Sequence, residues 1–187
     1  MNFCGECGAA IERRIPEGDN RERDVCSKCS TIFYSNPKNV CGCILEYDGK
    51  ILLCKRAIEP RYGKWTLPAG FMENHETTAE GAAREAEEEA HAHSNDLQLY
   101  ALYSLPRISQ VYIMYRGTLR DGAATAGIES LEVGLFAEEE IPWDELAFPV
   151  VIESLQRYFE DRKRGQFQVH RADIHSRPGQ AIQIIRY

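Results

Sequence analysis

The stretch from Gly70 to Ala92, GFMENHETTAEGAAREAEEEAHA, places the strongest constraint on this chain. If residues 78 to 90 are helical, Glu85, Glu88 and Glu89 stand at i, i+3 and i+4 and share one face, while Glu87 points elsewhere. Ala79, Ala82, Ala83, Ala86 and Ala90 form a neighbouring face of small residues suited to close packing on a sheet. A hard divalent cation takes several oxygen ligands, and three glutamates about one turn apart supply them. A solvated acidic face is the competing reading, since charged helical faces usually meet water.

The second constraint lies at the N-terminus, where Cys4-x-x-Cys7 is followed by Cys26-x-x-Cys29. Each pair sets two sulfurs on a tight turn, and two such turns complete a tetrahedral thiolate site for zinc. A redox pair would sit in a βαβ pattern and would not be duplicated. A segment this short and polar needs a metal to fold, which predicts a structural Zn²⁺ held by Cys4, Cys7, Cys26 and Cys29. The chain has seven cysteines, an odd number, which suits metal ligation in a reducing compartment, the cytoplasm by default. Cys41, Cys43 and Cys54 fall within expected strands and read as small buried hydrophobes.

A length of 187 residues suits one ordinary domain with a small appendage, and 43% hydrophobic with 27% charged residues reads as globular. The formal charge of -7 argues against non-specific nucleic-acid binding and requires local cations or metal ions for an anionic substrate. The basic residues Arg13, Arg14, Arg21, Arg23 and Lys28 of the cysteine segment interleave with acidic ones, so their charge nearly cancels. No apolar run reaches membrane-spanning length and the N-terminus lacks a signal-peptide core, so no membrane role is expected.

In chain order, Tyr34 to Pro37 reads as a linker. Val40–Tyr47 and Lys50–Arg56 read as strands about an Asp48-Gly49 turn. The loop that follows carries Arg56, Arg61 and Lys64. Arg56 and Arg61 can make bidentate phosphate contacts, whereas Lys64 reads equally well as an ordinary loop charge. Pro68-Ala69-Gly70 lets the backbone approach a ligand closely. After the helix come strands over Leu97–Leu105 and Ile108–Leu119, a small polar connection at 121–127, and a strand leading to Phe136. Phe148-Pro149 introduces a helix to about Arg164 with Gly165 as its stop. Phe167 to Tyr187 reads as a hairpin, an interface arm or a loose tail, with His170 and His175 structural.

These residues resemble the Nudix hydrolase family, whose box is G-x5-E-x7-R-E-U-x-E-E-x-G-U with U aliphatic. Gly70, Glu76, Arg84, Glu85, Glu88 and Glu89 match it at fixed spacing, and His91 replaces its last glycine. The resemblance covers about residues 36 to 160. It implies an α/β/α sandwich with a mixed sheet, preceded here by a small four-cysteine zinc ribbon. The expected organisation is a ribbon over 1–35, a Nudix domain over 36–164 and a C-terminal extension over 165–187. The implied activity is metal-dependent hydrolysis of a phosphoanhydride in a nucleoside diphosphate linked to another group, giving two monophosphates.

By position, Glu85, Glu88 and Glu89 would bind Mg²⁺ or Mn²⁺ near the Gly70 carbonyl, with Glu76 and Arg84 as a supporting ion pair. Arg56 matches a position that often contacts phosphate. Glu129 and Glu132 match a late loop that supplies a catalytic glutamate in some relatives, and Glu132 joins the triad as a catalytic candidate. Tyr112 or Phe71 could stack on a base, with a core role stronger for Phe71. The ribbon, the GKWTLPAGFME run and the PWxELAF pattern at Pro142 to Phe148 resemble Nudix enzymes acting on FAD and ADP-ribose. NADH pyrophosphatases are the alternative, although their SQPWPFPxS run is absent. Competing classes are a non-catalytic nucleotide-sensing regulator and a ribbon that binds nucleic acid. The ribbon is expected to pack on the catalytic domain or across a homodimer.

Overall fold

A computed structural model describes residues 1–176 and 179–187; Arg177 and Pro178 of the expected C-terminal extension lie outside the described residues. The chain divides into two compact units, Met1–Asn36 and Pro37–Tyr187.

The first unit is a three-stranded antiparallel sheet of β1 (Ile11–Arg14), β2 (Arg23–Cys26) and β3 (Ile32–Phe33) in that order. Its buried apolar side chains are Cys4, Pro16, Val25 and Cys26. Two of these four are cysteines, so the unit has almost no hydrophobic core apart from its cysteine cluster.

The second unit is built on a nine-stranded mixed sheet. Its strands in chain order are β4 (Lys38–Tyr47), β5 (Lys50–Arg56), β6 (Trp65–Thr66), β7 (Ala69–Phe71), β8 (Gln98–Leu105), β9 (Gln110–Thr118), β10 (Ser130–Phe136), β11 (His170–His175) and β12 (Gln183–Arg186). Across the sheet the order is β10-β5-β4-β9-β8-β11-β12. The β4–β9 and β8–β11 pairs are parallel, and the others along this path are antiparallel. Helices α1 (Thr78–Ala90) and α2 (Pro149–Arg164) pack on opposite faces, which makes the expected α/β/α sandwich.

The period-two alternation of the strands explains the two layers. Cys41, Cys43 and Leu45 of β4, with Leu52 and Cys54 of β5, face Ala82, Ala86 and Ala90 of α1. Ile44, Ile51 and Leu53 face the other way, against Val151, Leu155, Tyr158 and Phe159 of α2. The three interior cysteines are the small buried hydrophobes expected of them. Ala83 does not join the buried alanines of α1 and is exposed.

One arrangement was not legible in the strand pattern. β4 and β5 pair only beside their turn, at Glu46↔Ile51 and Tyr47↔Lys50, and then separate. Into the gap runs the segment 65–71, as β6 on β5 and β7 on β4. This places Gly70 opposite Cys41 and carries the loop ahead of α1 onto the sheet.

The C-terminal segment forms two strands, β11 and β12, and is the hairpin among the expected alternatives. Glu153 of α2, 1% exposed, accepts a two-pronged contact from Arg186 at 2.8 and 2.7 Å and another from Arg157 at 2.9 Å. His170 Nε2 lies 2.6 Å from Asp161 Oδ2, to which Tyr100 also donates, so this histidine belongs to the packing of α2. Among the described residues no helix is long and apolar enough to cross a membrane.

Candidate active site and zinc site

The helix carrying the glutamates is fixed at both ends. At its start, Thr77 Oγ1 accepts from the Glu80 N–H at 3.2 Å and Glu80 Oε2 accepts from the Thr77 N–H at 2.7 Å. This capping box was available in the sequence as Thr77-x-x-Glu80. At its end, His91 adopts the left-handed conformation at φ 46°, and its N–H reaches the Ala86 and Glu87 carbonyls. The turn is therefore kept without the glycine of the box. A side chain there costs about 1 kcal/mol relative to glycine, while the exposed contacts of His91 and His93 with Glu87 return little. His91→Gly is expected to raise the unfolding midpoint by about 2–4 °C, read by thermal denaturation.

The small polar connection after β9 closes the same helix end. Thr125 N–H donates to the Ala90 carbonyl at 2.8 Å and Gly127 N–H to the Glu89 carbonyl at 3.0 Å, occupying helix acceptors that would otherwise lack partners. A Cβ at Gly127 would lie 1.8 Å from the Glu88 carbonyl oxygen, so this approach needs glycine.

Of the three candidate ligands, Glu85 and Glu89 turn inward and are 8% and 5% exposed, while Glu88 stays at the rim. Burial pushes the Glu89 carboxyl up to about 8, and the Glu85 and Glu129 charges push the same way. Arg56 and the Ala69 N–H oppose them. Glu89 Oε2 is buried with no hydrogen-bond partner. Glu85 is raised too, mainly by burial, against the pull of Arg84. The Glu85 carboxylate lies against Gly70, where an added Cβ would come within 2.3 Å of Oε2. Gly70→Ala should therefore move this carboxylate and lower turnover by roughly 10²-fold. Because the clash is with a side-chain end, the unfolding midpoint should stay within a few degrees of wild type; steady-state rates and thermal unfolding on one sample check both.

Arg84 ties the box together. Its Nε and Nη2 clasp Glu76 at 3.0 and 2.9 Å, and Nη2 also reaches the Phe71 carbonyl at 3.0 Å. Nη1 bridges Glu85 Oε1 at 2.7 Å and Glu88 Oε2 at 2.8 Å. This guanidinium holds the Glu76 carboxyl down to about 2, the largest share coming from its hydrogen bonds. A cation taken by the triad would share Glu85 and Glu88 with Arg84. The donor chemistry suits a hard divalent ion, with three carboxylates, one of which has a buried unpartnered oxygen, beside a backbone cradle, although their oxygens are not drawn within 4.8 Å of one another.

The remaining sequence candidates separate. Arg56, at the end of β5, is half-buried and close enough to Glu89 for its charge to act on it. Arg61 is exposed in the following loop, at φ 72°. The structure does not bring Glu132 to the triad. It pairs with Lys55 at 3.4 Å, and Lys55 lies over the Trp65 ring in the α2 layer. An irregularity between Ser130 and Glu132 shifts the β10 register, and Glu129 is the late-loop carboxylate whose charge reaches Glu85 and Glu89. The Glu129 carbonyl is held by the Ala57 N–H at 2.8 Å. Phe71 is exposed under the Lys38 ammonium and has no core role, whereas Tyr112 is half-buried near Arg56.

In the N-terminal unit the four cysteine sulfurs lie within 4.8 Å of one another. Cys7 is 3.5 Å from both Cys26 and Cys29, and Cys4 is 3.7 Å from Cys29. Zinc–sulfur bonds of about 2.3 Å in a tetrahedron give sulfur–sulfur edges of about 3.8 Å, so the quartet fits zinc. Lys28 and Cys29 N–H groups donate to Cys26 Sγ at 3.4 and 3.3 Å, and Thr31 holds the Cys29 thiol down to about 6. These donors favour the thiolates a zinc ion requires. Among the described residues this is the one His, Cys, Asp or Glu group drawn together in this way.

Residues 2–35 match the family model described as Nudix N-terminal, a zinc ribbon, and residues 35–158 match the NUDIX domain. The chain is 34% identical over 120 residues to an ADP-ribose pyrophosphatase of Methanocaldococcus jannaschii, covering 62% of this chain and 70% of that protein. It is 26% identical over 145 residues to a NAD-capped RNA hydrolase of Photobacterium profundum, covering 76% of this chain but only 52% of that relative. A crystal structure of a NUDIX hydrolase from Nitrosomonas europaea matches with a TM-score of 0.90 at 55% identity, covering 94% of this chain and 100% of that one. Ribbon, box and sandwich thus agree with independent likenesses of sequence and structure, and the chain belongs to the Nudix family of pyrophosphohydrolases.

Proposed function

We propose that this protein hydrolyses the phosphoanhydride of a nucleoside diphosphate linked to another group, with ADP-ribose or FAD as leading substrate and Mg²⁺ or Mn²⁺ as cofactor. The observation carrying the reading is the buried Glu89, whose unpartnered oxygen sits beside a second buried carboxylate on the same helix face. Two such groups are costly in a metal-free core and become useful once a divalent cation compensates them. The 34% likeness to an ADP-ribose pyrophosphatase supports the substrate class.

Hydrolysis adds water across the bridging oxygen, so one phosphorus gains a hydroxyl, the other keeps the bridge oxygen, and a proton is released. A divalent ion held by Glu85, Glu88 and Glu89 would neutralise phosphate charge and make bound water more acidic. Arg56 binds a phosphate, and Arg84 with Glu76 holds Glu85 and Glu88 in place. Glu129, near the triad and outside the helix, is the candidate that takes the proton from the attacking water.

The second reading is a dinucleotide or NAD-linked substrate, favoured by the likeness to a NAD-capped RNA hydrolase. Incubation with Mg²⁺ and ADP-ribose, FAD, NADH, NAD-capped RNA and a nucleoside triphosphate separates the readings by product analysis. Cleavage of none of the diphosphate-linked compounds would overturn the proposal. The thiolate quartet and the three buried thiols suit a reducing compartment such as the cytoplasm.

A further inference from the structure

We propose that Phe148 positions Arg56, its ring face holding the guanidinium so that the terminal nitrogens stay open for a substrate phosphate. The inference rests on the diphosphatase reading above and adds a residue to its binding machinery.

Two arginines stand near the carboxylates, and their hydrogen bonds set them apart. Arg84 spends Nε, Nη1 and Nη2 on Glu76, Glu85, Glu88 and the Phe71 carbonyl. Arg56 uses Nε alone, donating to the Pro60 carbonyl at 2.9 Å. Among the described residues neither of its Nη nitrogens has a hydrogen bond or a carboxylate within 4 Å, although its charge acts on Glu89. An unpaired guanidinium beside an acidic triad would ordinarily swing into an ion pair, so its orientation needs another cause.

The Phe148 ring supplies one. The Arg56 guanidinium carbon lies 5.2 Å from its centroid, within range of attraction between a cation and an aromatic face. The Pro60 carbonyl and the ring together fix the plane of the guanidinium, leaving its outer fork for an anion. Phe148 is itself held on both sides. Before it, the Ala147 N–H donates to the Trp65 carbonyl at 2.8 Å, and Leu146 bridges to Trp65. After it, Pro149 opens α2, and the Phe148 carbonyl accepts from Val151 and Ile152 at 3.1 and 3.3 Å. The backbone of Arg56 is equally fixed, with its N–H on Lys64 and its carbonyl on Gly63, both at 2.9 Å. Both partners are thus set by rigid elements before any ligand arrives, which lowers the cost of ordering them on binding.

The test compares Phe148→Leu, which keeps apolar volume without a ring face, with Phe148→Tyr, which keeps the face. Phe148→Leu should raise KM for ADP-ribose by about 2- to 30-fold, the range for an arginine over an aromatic ring, with kcat within about 2-fold. The dissociation constant of ADP, read by calorimetry without turnover, should rise by the same factor, and Phe148→Tyr should restore both. In a cycle with Arg56→Ala, Phe148→Leu should add nothing further, because its effect passes through Arg56. Additive effects, wild-type ADP affinity in a folded Phe148→Leu protein, failure of Phe148→Tyr to restore affinity, or no ADP binding by wild type would each overturn the inference. If no substrate is cleaved, the diphosphatase reading fails while the ADP measurement still decides the role of Phe148.

Discussion

Glu89→Gln is expected to lower turnover by about 10²-fold or more while making the metal-free protein more stable at neutral and alkaline pH. The two effects share one cause. In the fold this carboxyl is pushed up to about 8 from an ordinary 4.5, chiefly by burial. Between those values the folded chain keeps a proton that the unfolded chain gives up, so the metal-free protein loses stability as pH rises from about 5 to about 8. The glutamine has the same shape and no charge, which removes that slope. It should gain about 1–3 kcal/mol near pH 8, because the glutamine keeps the buried polar atoms but never bears the charge whose burial raises this carboxyl. Thermal unfolding at pH 6 and pH 8 without added divalent cation, with steady-state rates in Mg²⁺, checks both halves. An unchanged rate removes Glu89 from the site, and an unchanged pH slope removes the buried carboxylate as the source of instability. Wild type should also bind Mn²⁺ more tightly as pH rises toward 8 and release a proton on binding.

Cys26→Ser should abolish zinc binding and unfold residues 1–36 while the second unit keeps its own core. Cys26 is fully buried, is 3.5 Å from Cys7 and accepts two backbone N–H groups, so its sulfur links the ligand set to the turn that shapes it. Binding of a structural zinc is worth about 10–16 kcal/mol in small fingers at neutral pH. The few buried apolar residues of this unit supply far less. Metal analysis should fall from about one zinc per chain to none, and amide signals of residues 1–36 should collapse to unfolded positions. Dispersed signals without zinc would contradict this account.

Particular residues show how far the sequence reached. Glu85, Glu88 and Glu89 were legible because helical spacing turns a linear pattern into a face. The ribbon was legible because two cysteine pairs leave few alternatives to a tetrahedral metal. Cys41, Cys43 and Cys54 read as small buried hydrophobes from their place within strands, and the helix over 149–164 was readable from its proline and glycine punctuation. Glu132 shows the limit: the register shift in β10 decides which side of the sheet a residue faces, and no local pattern marked it.

The sequence by itself determined which acidic and cysteine donors the chain carries, the family resemblance and a cysteine-rich segment set apart at the N-terminus, since each follows from residue types at fixed local spacing. Tertiary structure alone decided how those donors differ. It buried Glu89 and Glu85, left Glu88 at the rim, saturated Arg84, set Arg56 on Phe148 and let the Glu129 charge act on Glu85 and Glu89. Those distinctions arise because segment 65–71 enters the gap between β4 and β5, and because the loop at 123–129 closes over the end of α1. Both are contacts between residues far apart in the chain, where burial and charge are set by neighbours that local spacing does not encode.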